Sequence, residues 1–125
     1  MNHASLNAYR SVGAHSQVAA SDPRQLIQVM FDTVMTRLAT ARGCMERGEV
    51  AAKGENLSKA IGIIGALNNS LDLEQGGQIA SNLRELYDYS SRRLTEANLR
   101  NDPRMIEEIS SLLREIKSAW EALPQ

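Results

Sequence analysis

The residues of this 125-residue chain that could do acid–base, metal or nucleophilic chemistry are few and scattered. Both histidines, His3 and His15, precede the first helical pattern, whereas a di-iron or phosphorelay bundle needs histidines on its helix faces. Cys44 has no histidine on a helix that could activate it as a nucleophile. The pair Gly76-Gly77 is not followed by the Lys-Ser/Thr of a phosphate-binding loop. We therefore expect no enzyme activity, no metal and no bound cofactor.

The composition narrows the class of protein further. The chain length suits one domain, and the net charge of −1 gives no electrostatic reason to expect a nucleic-acid partner. A single cysteine cannot form an internal disulfide, which is typical of a reducing compartment. No apolar run approaches the length that spans a membrane, and the start of the chain lacks a secretory signal pattern. We expect a cytoplasmic protein without membrane insertion.

The elements that must position these residues are all helical. Asp22-Pro23 and Asp102-Pro103 each combine a good N-cap with a proline suited to the first helical position. Gly48 is a typical residue just beyond the end of a helix. Apolar spacings of three and four predict four helices, at about residues 22–47, 50–70, 77–100 and 102–122. Short connections between them favour an all-α, antiparallel up-down four-helix bundle.

The first 20 residues differ from the rest. They carry one formal charge, Arg10, and are rich in small and polar residues. We predict an irregular N-terminal arm at residues 1–20 and a bundle domain at residues 21–125. A disordered tail is the alternative interpretation of the arm.

The third helix has the clearest apolar pattern. We predict that its core-facing stripe consists of Ile79, Leu83, Leu86, Ser90, Leu94 and Ala97. Tyr87 and Tyr89 lie beside that stripe. The Gly76-Gly77 pair is expected to end the second helix and permit a turn.

The second helix contains three internal glycines, Gly54, Gly62 and Gly65. Each costs about 1 kcal/mol relative to alanine in a helix. Close packing of a neighbouring backbone is one explanation, and room for a bound peptide is the other. The sequence favours close packing.

Several helices carry more apolar residues than one core stripe needs. Such a surplus can form shallow grooves into which an amphipathic segment of another protein docks. Methionines suit such grooves because they adapt their shape. The residues predicted to line a groove are Ile27, Met30, Ile63, Leu67, Tyr87 and Tyr89.

A series of short motifs follows in a characteristic order along nearly the whole chain. They include Tyr9, Met30-Phe31-Asp32, Ser70-Leu71-Asp72, Gly76-Gly77, Asn82-Leu83, Leu86-Tyr87-Asp88-Tyr89, Ala97-Asn98 and Trp120. Their order and spacing resemble the FliS family, the cytosolic export chaperones of flagellin. Phe31 replaces a tyrosine of the family pattern, and Thr33 replaces its more usual glycine. Both changes are conservative within a helix.

The resemblance implies a function for the predicted grooves. Proteins of this family bind the disordered C-terminal region of flagellin, prevent its premature polymerisation and keep it competent for flagellar type III export. They use no nucleotide or metal. A disordered segment that orders on binding needs a large surface of dispersed contacts, which several grooves provide.

The resemblance also suggests a role for the arm. Leu6 and Tyr9 are candidates to cover a groove until flagellin displaces them, and the freed arm could then signal to the flagellar export gate. A homodimer is left open. The alternative function is a helical secretion adaptor, or another interaction module, for a different cargo.

Overall fold

The computed structural model describes residues 22–124, and the four helices within that range form one bundle. They are α1 (Pro23–Glu46), α2 (Val50–Asn69), α3 (Leu73–Arg100) and α4 (Pro103–Glu121). No strand occurs among these residues, so the predicted all-α bundle is confirmed. None of the described helices has the length and apolar character needed to cross a membrane.

Aspartates begin three of the helices. The Asp22 carboxylate accepts hydrogen bonds from the backbone N–H groups of the next turn, and Pro23 follows in the first helical position. Asp102 caps α4 in the same way, as predicted, and Asp72 caps α3. These carboxylates satisfy N–H groups that have no partner within the helix.

Residues with positive φ end two of the helices. Gly48 follows α1 with φ 73°, and Asn101 ends α3 with φ 54°. Glycine and asparagine are the residues that most readily adopt this left-handed conformation. The predicted role of Gly48 is therefore confirmed.

Each helix packs against two neighbours, so that α1 contacts α2 and α4 while α3 contacts α2 and α4. Polar bonds fix the antiparallel register of these pairs. Lys53 near the start of α2 donates to the Asn98 carbonyl near the end of α3, at 3.2 Å. The Lys117 ammonium of α4 lies 2.7 Å from the Asp32 carboxylate of α1. Consecutive helices therefore alternate in direction around a single core.

The core contains the large side chains from all four helices. Its fully buried members include Phe31, Leu38, Leu57, Ile64, Leu94, Ile106, Ile109 and Leu113. Trp120 packs against the edge of this core, with its ring 5.9 Å from that of Phe31 and the Arg24 guanidinium above it. Arg24 also donates to the carbonyls of Glu121 and Leu123, which ties the end of α4 to the start of α1.

The connection between α2 and α3 differs from the prediction. Helix α2 ends at Asn69, and the Gly76-Gly77 pair lies inside α3, where it produces a kink. Gly77 has φ 55° and ψ −131°, a combination that is essentially confined to glycine. A side chain at Gly76 would have its Cβ 2.6 Å from that of Ala80. The two glycines therefore let the first turn of α3 fold against the rest of the helix.

Candidate functional site

The predicted core-facing stripe of α3 is confirmed for Ser90, Leu94 and Ala97, which are buried, and for Leu83, which packs against the core, but not for its other two residues. Ile79 is 74% exposed and Leu86 is 37% exposed, so their assignment to the core is wrong. Tyr87, predicted to lie beside the stripe, is 4% exposed and belongs to the core together with Leu94 and Ala97. The helix is rotated so that Ala80 and Tyr87, seven residues apart, point inward in its first half.

The exposed apolar side chains of α3 lie near the edge that faces α4. Ile79 and Leu86 precede Arg93 by two heptads and one heptad, so all three share one side of the helix. The Arg93 Nε donates to the Glu108 carboxylate of α4 at 2.8 Å. Leu83, which is partly buried, lies beside the other two. We call Ile79, Leu83 and Leu86 the α3 stripe.

In the register fixed by Arg93 and Glu108, the described residues of α4 place no large apolar side chain directly level with Ile79 or Leu86. Since the helices are antiparallel and Arg93 meets Glu108, the same register brings Leu86 level with Glu115 and Ile79 level with Ala122. Glu115 and Ala122 are both exposed. Ile79 and Leu86 are therefore exposed apolar side chains on the α3 side of this boundary.

Hydrogen bonds join α3 to α4 across the same boundary. The Tyr89 hydroxyl and Arg93 both donate to the Glu108 carboxylate. The bond to the carboxylate favours the neutral phenol and raises the pKa of Tyr89. The two donors in turn favour the ionised carboxylate and lower the pKa of Glu108.

The structure places the six predicted groove residues in two environments. Met30, Ile63, Leu67 and Tyr87 are buried in the core. Ile27 and Tyr89 are partly buried and pack against its edge. Burial follows from helix rotation, because these residues lie on the inward side of their helices. Contact of any of the six with a cargo stays a prediction. The predicted arm, with Leu6 and Tyr9, lies outside the described residues.

The glycines of α2 contradict the close-packing interpretation. A Cβ added at Gly54, Gly62 or Gly65 would meet no atom of residues 22–124 within 4 Å. The three glycines therefore leave open space beside the α2 backbone. Their spacing of eight and three residues places them on neighbouring parts of one side of the helix. We call Gly54, Gly62 and Gly65 the α2 glycine face.

The α3 stripe and the α2 glycine face are surfaces for contact and carry no reactive groups. Within residues 22–124, no group of three or more histidine, cysteine, aspartate or glutamate side chains is placed to hold a metal ion. Cys44 is buried beside the Arg47 guanidinium, at 3.8 Å from Nη2 to Sγ. An apolar stripe and an uncovered helix backbone can accept a polypeptide segment.

The comparisons with known proteins show the family to which the chain belongs. The family model described as flagellar protein FliS matches residues 5–125. The flagellar secretion chaperone FliS of Salmonella typhimurium is 50% identical, over 94% of this chain and 88% of the relative. Flagellar secretion chaperone FliSB of Pseudomonas aeruginosa is 45% identical, over 94% of each chain. The FliS chaperone of Vibrio cholerae is 41% identical, over 96% of this chain and 88% of the relative. The chain belongs to the FliS family.

Proposed function

We propose that this protein is a flagellar secretion chaperone that binds the C-terminal region of flagellin. It prevents premature polymerisation in the cytoplasm and keeps flagellin competent for type III export. The observation that carries the proposal is the match to relatives named flagellar secretion chaperones at 41–50% identity over nearly the whole chain. The role is non-enzymatic.

The α3 stripe is the surface that supports this function best. An amphipathic segment of the cargo can place its apolar side chains against Ile79 and Leu86, which the register places level with Ala122 and Glu115. Covering a fully exposed side chain of this size contributes about 1.5–3 kcal/mol, and the partly covered Leu86 contributes proportionately less. Several contacts of this size offset the ordering of a disordered segment.

Calorimetric titration with the C-terminal region of flagellin from the same organism tests the function and the surface together. We expect saturable one-to-one binding with a negative heat-capacity change and a gain of helicity. The variant carrying Ile79→Ser and Leu86→Ser should bind about tenfold or more weakly, because two apolar contacts are lost. Its circular dichroism should match that of the unmodified protein, because both side chains are exposed.

Leu99→Ser provides the matched control. Leu99 lies on the same helix, is 82% exposed and is outside the α3 stripe. It should bind flagellin as the unmodified protein does. Equal weakening by both variants would remove the stripe from the binding surface.

The rival function is that of a helical secretion adaptor for a different cargo. A folded bundle that fails to bind any part of flagellin would favour it. Binding to the flagellar export gate and formation of a homodimer stay predictions. Titration of the flagellin complex with export-gate components and sedimentation of the free protein measure them.

A further inference from the structure

A cavity of about 220 Å³ lies where α2 ends and α3 begins. We call it the link cavity, and it is lined by Asn68, Asn69, Leu71, Leu73 and Arg84. Two leucines supply apolar wall, two asparagines supply amide groups, and one arginine supplies a positive charge. The kink at Gly77 builds the cavity, because Leu73 precedes the kink and Arg84 follows it.

Arg84 is the unusual member of this lining. Within the described part of the chain its guanidinium takes part in no ion pair or hydrogen bond. Asp88, one turn further along α3, is held instead by the Asn68 amide, which donates to its carboxylate at 2.9 Å. An arginine presents a planar set of donors that matches a carboxylate with two parallel hydrogen bonds. The cavity therefore combines two leucine side chains in a largely polar lining with a cation available to an anionic group.

The surroundings of the cavity favour a polypeptide as the source of that anion. The α2 glycine face leads to it, since Asn68 and Asn69 lie one turn beyond Gly65 on the same helix. At the three glycines, no side chain from the described part of the chain would lie between a bound backbone and α2. A segment lying there would reach the link cavity at the end of α2.

We propose that the link cavity binds the carboxyl-terminal residue of a bound polypeptide. The terminal carboxylate pairs with Arg84, and the terminal side chain packs against Leu71 and Leu73. A terminal residue presents both groups from one Cα and has no chain continuing beyond the cavity. An internal aspartate or glutamate supplies only the carboxylate, with backbone on both sides. The identity of the polypeptide, flagellin, rests on the proposed function, whereas the chemistry of the cavity does not.

The cavity is tested without flagellin, with a small molecule that mimics a carboxyl-terminal residue. N-acetyl-leucine is titrated into the full chain and followed by NMR at the backbone amides around the cavity and at the Arg84 side-chain N–H. Saturable shifts are expected there, and they should be absent with N-acetyl-leucine amide and in Arg84→Gln. The variant Arg92→Gln should respond as the unmodified protein does, because Arg92 also lacks a partner among residues 22–124 but does not line the cavity. Equal shifts from the acid and the amide, or none from either, would overturn the proposal.

A second experiment, with flagellin, identifies which carboxylate pairs with Arg84. The C-terminal region is compared with the same region amidated at its end, by calorimetry. Amidation should weaken binding to the unmodified protein about three- to tenfold and should not weaken binding to Arg84→Gln further. If Arg84→Gln weakens both forms equally while amidation has no effect, an internal acidic side chain is the partner and the proposal falls. If N-acetyl-leucine binds but flagellin does not, the proposed function fails and the cavity stands.

Discussion

At the scale of single residues, Tyr87 shows most clearly how burial changes chemistry. Its ring lies in the core, and burial raises the pKa of its hydroxyl to about 12. The fold thus favours the neutral phenol over the phenolate. Stability from this preference is fully present below the unfolded pKa of about 10 and is lost as the pH rises through the folded value.

We expect the protein to lose about 1 kcal/mol of unfolding free energy through Tyr87 alone by about pH 11. Tyr87→Phe should remove this part of the alkaline loss, because phenylalanine has no proton to release. Urea unfolding at neutral pH and at about pH 11 measures the difference between the two proteins. If both lose stability equally, the Tyr87 hydroxyl ionises at its ordinary pKa in the fold.

At the scale of elements, two glycines with opposite roles can be compared directly. Gly62 lies in regular α2 with open space around it, whereas Gly77 holds the kink of α3 at φ 55°. Gly62→Ala should stabilise the protein by about 0.5–1 kcal/mol through helix propensity. Gly77→Ala should destabilise it by about 1–3 kcal/mol through backbone strain. Urea unfolding of both variants gives the two values side by side.

The Gly62→Ala variant also distinguishes an effect on stability from an effect on binding. If a polypeptide lies along the α2 glycine face, Gly62→Ala should weaken flagellin binding although it strengthens the fold. A Gly62→Ala protein that is more stable and binds flagellin as before would show that this face is not used.

Apolar spacing located the four helices and their directions but not the rotation of α3. Ile79, Leu83 and Leu86 satisfy the helical period as well as Ala80 and Tyr87 do, so the period alone cannot choose between the two sides. The choice depends on what α4 places opposite. The pair Arg93 and Glu108 fixes the register of the two helices. In that register Leu86 is level with Glu115, and Ile79 is level with Ala122. The sequence alone does not give this register, so it could not show that Leu86 and Ile79 are exposed.

The link cavity could not be predicted from the sequence, for a related reason. It depends on α3 beginning at Leu73, before the predicted start at residue 77, so that the Gly76-Gly77 pair lies inside the helix. Boundaries of this kind are set by tertiary packing and by the cap at Asp72, which competes with the stop signal of Gly76-Gly77.

At the scale of the whole molecule, charged pairs join α4 to both of its neighbours, α1 and α3. Glu108 is the clearest member, because the hydrogen bonds from Tyr89 and Arg93 lower its pKa below the usual 4.5. A lowered carboxylate pKa adds stability above the unfolded value. That stability is lost as the pH falls through the folded value.

We expect Glu108→Gln to lower the unfolding free energy at neutral pH by at most about 1 kcal/mol, because the pair is largely exposed to water. The difference from the unmodified protein should shrink as the pH falls through the lowered pKa. Thermal unfolding between neutral and acid pH measures it. Glu115→Gln is the control, since Glu115 has no ion pair among residues 22–124, and a similar loss there would show that the α3–α4 bonds are not the cause.

The arrangement of the four helices also determines the order in which their contacts form during folding. Three of its four helix contacts join consecutive helices, whereas the contact between α1 and α4 joins the first to the last. Contacts between consecutive helices form quickly because little chain must be ordered between them. During synthesis, α1, α2 and α3 can associate while Phe31 still lacks the Trp120 ring that later packs beside it. The ribosome must therefore release α4 before the bundle closes, and the nascent chain exposes one apolar side of α1 until then.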